Sequence, residues 1–175
     1  MKTPTRIIIL LIAVVFTLCL AAPALAATSL NGYENQLLAL INKERAKRGL
    51  AQLRVNTRLV ASARAHSADM GAQKYFGHDS PSGESWGSRI IRHGYTNQGC
   101  KYWKAGENIA WGKGLYSSPV CVVDAWMKST MHRTVILTKV FRDIGVGAVK
   151  TDGGFDNLDG TVWFFTLDVG RRITQ

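Results

Sequence analysis

Cysteine is scarce in this chain: three in 175 residues, one of them, Cys19, inside an apolar leader. The remaining two, Cys100 and Cys121, are too few and too far apart for a thiolate metal site. In an oxidising compartment a lone pair predicts one disulfide, Cys100–Cys121, bracing the segment around Glu107 against the helix that opens at Pro119. Acidic residues are also sparse, 12 against 22 Lys and Arg, a net charge of +10. There is no apolar run beyond the leader long enough to span a membrane, no internal repeat and no low-complexity segment.

The leader itself is informative. Lys2 and Arg6 precede an apolar run from Ile7 to Leu20, Pro23 breaks it, and Ala24-Leu25-Ala26 supplies small residues around a cleavage point. That pattern predicts a secretory signal peptide over 1–26, cut after Ala26. Leu18 is too bulky before Cys19 for a lipidation site. A short segment, 27–31, then leads into one domain, 32–175. Losing Lys2 and Arg6 leaves 20 basic against 12 acidic residues, about +8. Such a charge on an exported protein suits anionic surfaces such as teichoic acid, acidic polysaccharide, lipid headgroups or extracellular DNA. The basic residues look scattered along the sequence and not grouped with aromatics, so no specific nucleic-acid site is expected.

Apolar spacing predicts a helix from Tyr33 to Arg48, stopped by Gly49, and a second from Thr57 to Lys74 capped by Asn56. His66 falls on the packed stripe of that helix with Leu59, Ala63 and Met70, as a hydrogen-bonded core histidine. A third helix, Ser85 to His93, turns Ile90 and Ile91 inward and ends at Gly94, with His93 complementing its dipole. "CKYWKAGENIAWGKG" reads as a short strand with tight glycine turns. Ser118-Pro119 opens a helix to about Ser129. "DIGVGAVK" and "TVWFFTLDV" read as strands joined by the Gly/Asp-rich loop 151–160, whose aspartates lack calcium-loop spacing. Helices first and strands late make an α+β layout, a small antiparallel sheet covered by helices.

Four polar residues stand at the ends of these elements: His78, Glu107, Ser129 and His132. Two imidazoles and a carboxylate are suitable donors for a divalent ion such as Zn²⁺, but their spacing does not demand one. The alternative is that Glu107 ties down a turn and each histidine caps a helix.

A series of segments resembles the superfamily of cysteine-rich secretory proteins, antigen 5 and plant pathogenesis-related proteins, the CAP domain, in its bacterial branch. In order they are "LLALINKERAKRGLAQLRVN", "LVASARAHSADM", "KYFGHDSPSGES", "AGENIAWG", "AWMKSTMHRTVIL", "FRDIGVGAV" and "GTVWFFTLDVG". The resemblance implies an α-β-α sandwich. It also implies a cavity lined by two histidines and two glutamates. The histidines fall on His78 and His132 and the first glutamate on Glu107; the second position, three residues after Trp126, is Ser129. A site with one carboxylate fewer should hold metal less tightly and lacks an obvious second acid/base group.

Two functions follow as expectations. The first is a secreted, non-enzymatic, monomeric binding module, its ligand a lipid, a sterol, an anionic polymer or a metal, with Tyr102, Trp103 and Trp111 available to line a groove. The second is a zinc-dependent peptidase or cell-wall hydrolase using His78, Glu107 and His132. Ser129 lacks the glycine pattern of a nucleophile elbow, so a serine hydrolase is not expected.

Overall fold

The computed structural model describes residues 29–174; the leader, its cleavage point and Cys19 lie outside the described residues. Asn31 caps the first helix, α1 (Gly32–Ala46), and Glu34 closes the capping box by accepting the Asn31 N–H at 2.8 Å. A two-residue strand, β1 (Arg54–Val55), precedes α2 (Thr57–Gln73), whose cap is Asn56 as expected. Helix α3 (Trp86–Arg92) is capped by Ser85. Then come β2 (Cys100–Gly112), a 3-10 turn at Gly114–Ser117, α4 (Pro119–Lys128), α5 (Thr130–Leu137), β3 (Asp143–Thr151) and β4 (Val162–Thr174).

The strands form one sheet in the order β1-β3-β4-β2. The three long strands are antiparallel; β1 adds a short parallel pairing to β3, so the sheet is mixed at that edge. Helices α1, α4 and α5 cover one face and α2 and α3 the other. This is the α-β-α sandwich, and β2 is its outer edge strand.

The two faces have different interiors. Under α1, α4 and α5 lies a continuous apolar core, with Leu37, Ile41, Trp126, Ile136, Val146, Phe165 and Leu167. Trp126 is buried and donates its indole N–H to the Ile109 carbonyl at 3.0 Å. Alternate residues of β4 face α2, and there the apolar core is in two parts, one around Met70 and Phe164, the other around Leu59, Ile90 and Tyr95. Between them lie buried polar side chains: Ser62, His66 and Ser67 of α2, Arg89 of α3, Glu107 of β2, and Thr166 and Asp168 of β4. Helix α2 sits directly on β3. A Cβ built on Gly145 would fall 2.0 Å from the Leu59 carbonyl carbon, and one on Gly147 2.4 Å from that of Ala63.

Three expectations are corrected and one helix is added. Ile91 is exposed and Ile90 alone points inward, because α3 is short and lays one edge on the sheet. Gly106-Glu107-Asn108 is not a turn but the middle of the 13-residue β2, each of the three paired with β4; the one bulge lies between Cys100 and Tyr102. Residues 130–137 form a separate helix, α5, with Ser129 as the joint between α4 and α5. Both described cysteines are free. Trp126 places α4 against Ile109, nine strand residues or roughly 30 Å from Cys100, and Cys121 lies further back still; a disulfide needs Cα atoms within about 7 Å.

Candidate functional site

Glu107 is held at the middle of the edge strand, where the pleat turns its side chain toward α2 and α3. Its carboxylate is 1% exposed and both oxygens are engaged. Arg89, buried on α3, donates Nη2 to Oε2 at 2.6 Å and also to the His78 carbonyl at 3.0 Å. His78, in the loop after α2, bonds Oε1 through Nδ1 at 2.8 Å. Its ring is 47% exposed, so solvent reaches the imidazole while the carboxylate beneath stays dry. A buried carboxylate of this kind needs both oxygens hydrogen-bonded, and Arg89 and His78 supply one bond each.

His132 comes from the other side of β2, in the first turn of α5. Asn108, the residue after Glu107, points to the α5 face and donates Nδ2 to the His132 carbonyl at 3.0 Å. The His132 Nδ1 bonds Ser129 Oγ at 2.8 Å. The two histidines therefore flank one stretch of the edge strand and are within each other's electrostatic field. Their proton affinities move in opposite directions. The hydrogen bond and charge of Glu107 raise His78 above its ordinary value. Burial lowers His132, and a charge on His78 opposes its protonation further.

His66 is a buried core histidine, as expected, bonded through Nε2 to the Gly77 carbonyl at 2.9 Å. It also lies 4.0 Å from Glu107 Oε1, closer to the site than its place on the helix stripe suggested. Burial lowers its proton affinity. His93 ends α3 away from this group, and burial, with Arg92 beside it, disfavours the cation that a dipole role would require.

Two residues were missed by sequence reasoning, Arg89 and Asp168. Asp168 of β4 is the cross-strand partner of Glu107 and is fully buried. Burial first, then the neighbouring Glu107 charge, raises its affinity for a proton well above the carboxylate range. Neither of its oxygens has a hydrogen-bond partner, nor do Ser62 Oγ and the Nε and Nη1 of Arg89. Alternation along "TLDV" places an acid on an inner face, the one signal that marked Asp168.

Among the described residues no three His, Cys, Asp or Glu side chains form a group that would hold a metal ion. Glu107 shares its two oxygens between Arg89 and His78. Nδ1 of each histidine is occupied, which leaves Nε2 as the ring nitrogen not used in those bonds. A separate open depression of about 650 Å³ lies between Lys74 and the β3–β4 loop, away from these residues.

The family model for the cysteine-rich secretory protein (CAP) family matches residues 38–169. The chain belongs to this family. "Uncharacterized protein YkwD" of Bacillus subtilis is 40% identical over 138 residues, 79% of this chain and 48% of the relative. "Uncharacterized membrane protein YlbC" of the same organism is 34% identical over 114 residues, 65% of this chain and 31% of the relative. The chain thus spans about half or less of the curated relatives it matches. A crystal structure of an extracellular protein with an SCP domain from Bacillus anthracis superposes with a TM-score of 0.62 at 30% identity, covering 83% of this chain and 41% of the other. An outer surface protein of Borrelia burgdorferi shares the fold at a TM-score of 0.60 and 22% identity, over 79% and 91% of the two chains. No helix among the described residues is long and apolar enough to cross a membrane.

Proposed function

We propose that this CAP domain acts outside the cell as a non-catalytic binding module, taking a small ligand between His78 and His132 over the edge of β2. The observation that carries this reading is the state of Glu107: one oxygen is taken by Arg89 and the other by His78. A carboxylate so engaged orients an imidazole; it is not a free general base. Ser129 supplies no second acid and instead fixes the His132 ring. The signal-like leader and the extracellular protein at 30% identity support an exported location.

The rim suits either of two ligand types, an apolar molecule such as a lipid or sterol with one polar group, or a divalent ion. The donor chemistry fits Zn²⁺ as a two-imidazole site, through the Nε2 atoms of His78 and His132, with Glu107 fixing the orientation of His78. Two protein ligands make a weaker site than the three or four of established zinc proteins. The domain is read as a monomer, and its partner as an envelope component.

Calorimetric zinc titration of the wild type, His132→Ala and Ser129→Glu tests the site. Weak binding is expected in the wild type, loss in His132→Ala, and tighter binding in Ser129→Glu from the added anionic oxygen. A parallel screen on peptidoglycan and casein is expected to show no turnover, with zinc or with chelator. Zinc-restored hydrolysis would replace this reading with the hydrolase.

A further inference from the structure

The basic residues that look scattered in the sequence are gathered by strand register at one end of the sheet. Lys104 of β2 stands directly opposite Arg171 of β4. Arg142 at the start of β3 donates its backbone N–H to Gly170, next to Arg171. The Lys104 ammonium lies 6.0 Å from the Phe141 ring, which places it beside the Lys139–Arg142 segment. Lys139 in that segment is the fourth cation, and exposed Lys101, at the bulge between Cys100 and Tyr102, is a fifth at the same end of β2. None of the five has a carboxylate within ion-pair distance among the described residues. The nearest acid in sequence, Asp143, is turned to the opposite face, where it accepts the Tyr95 hydroxyl. Exposed Tyr102 and Ile173 lie beside the cations on the same face of the ladder.

A like-charge pair directly across a ladder is destabilising, and here nothing in the described chain neutralises it. We infer that this end of the sheet is a docking surface for a flexible polyanion, a linear polyol-phosphate polymer of the cell envelope. The inference rests on the extracellular reading above but uses none of the histidine site. Phosphate oxygens suit the guanidinium fork of Arg171 and the point charges of the lysines, while Arg142, whose Nη1 is bound to the carbonyls of Lys139, Val140 and Phe141, adds its charge and Nη2. A flexible backbone suits cations that arrive from three separate segments. Nucleic acid fits less well. Trp103 turns its indole inward, donating to the Tyr95 carbonyl at 3.2 Å, which leaves Tyr102 alone as an exposed ring and offers no stacking series. A lipid surface fits less well too, since Tyr102 and Ile173 are only 37% and 40% exposed and make a small apolar face.

The test is binding of purified poly(glycerol phosphate) at several salt concentrations, by wild type and by Lys104→Glu/Arg171→Glu. A charge-matched control, Lys128→Glu/Lys150→Glu, changes exposed lysines far from this end. Wild type is expected to bind, with affinity falling as salt rises. The patch variant should lose about tenfold or more in affinity, and its log–log salt slope should fall by roughly two, one for each cation removed. The control should keep most of its affinity. Arg171→Glu alone should bind less polymer yet melt no lower than wild type, because it converts a repulsive cross-strand pair to an attractive one. Zinc titration of the patch variant should match the wild type, which separates this surface from the histidine site. Absence of polymer binding by the wild type would overturn the inference. So would equal losses in the patch and control variants, or patch-dependent binding to duplex DNA, polygalacturonate or phosphatidylglycerol vesicles in preference to the polymer.

Discussion

At the scale of single residues, the CAP resemblance reached His78, Glu107, Ser129 and His132 because each sits in a short recognisable segment. It did not reach Arg89 or Asp168. Arg89 sits next to Ile90 in a helix of seven residues and reads as surface; only the meeting of α3 with β2 buries it. Asp168 becomes the neighbour of Glu107 through strand register, which local sequence does not encode. The pairing makes a clear prediction. Arg89→Met leaves Glu107 buried beside His78 alone and should cost about 3–5 kcal/mol in denaturant unfolding. Adding Glu107→Leu should recover much of that loss; if the double variant is as unstable as the sum of the singles, the two residues are not coupled. Asp168 holds its proton more tightly folded than unfolded. Its contribution to stability is therefore complete below the unfolded value near 3.9 and declines as pH rises toward the folded midpoint. Asp168→Asn, a neutral mimic of the protonated acid, should melt no lower than wild type at pH 8 and should flatten that decline. A marked loss of stability at pH 8 would mean that Asp168 is ionised and needed as such.

Elements were easier to read than their joints. The caps Asn56, Ser85 and Ser118 each take the role their residue types favour, and α2 begins where Asn56 predicts. The α4–α5 junction was unreadable because Ser129 ends one helix and starts the next with neither Gly nor Pro to mark it. In β2 the glycines suggested turns; Gly106 instead takes a small residue's place in the strand, with Val135 and Phe141 against it. The disulfide failed for a related reason, since cysteine counting carries no distance, and a long extended strand separates the two. Labelling of the unreduced protein should therefore find both Cys100 and Cys121 reactive as thiols, and a protected pair would contradict the α4 placement. Gly145 is where an element meets its neighbour most closely. Gly145→Ala drives a methyl into the α2 backbone and should cost roughly 3 kcal/mol or more, an overpacking penalty that a flexible side chain cannot relieve. A thermal melt equal to wild type would show that α2 does not lie on β3 as described.

For the whole molecule, the α+β class was legible from the helical and strand periodicities, whereas the sandwich layering was implied by the CAP resemblance; β2, which precedes α4 and α5, interleaves the two kinds of element. Charge distribution was not legible. Lys104 and Arg171 lie far apart in sequence and become neighbours through the antiparallel pairing of β2 and β4. The histidines also act at this scale, each adding its own pH dependence to the stability of the domain. His78, raised, contributes stability that is full below about pH 6.5 and fades as pH rises through its folded midpoint. His66 and His132, lowered, do the reverse: their contribution is full above about pH 6.5 and is lost as pH falls through their folded midpoints.

The central claim, that His78 and His132 share one site over Glu107, is tested most directly by an NMR titration of the imidazole resonances in wild type and His78→Ala. In the wild type the His78 midpoint should lie above about 6.5 and the His132 midpoint below it. In His78→Ala the His132 midpoint should rise, because the neighbouring cation that opposes its protonation is gone. An unchanged His132 midpoint, or a His78 midpoint below the ordinary value, would contradict a shared site.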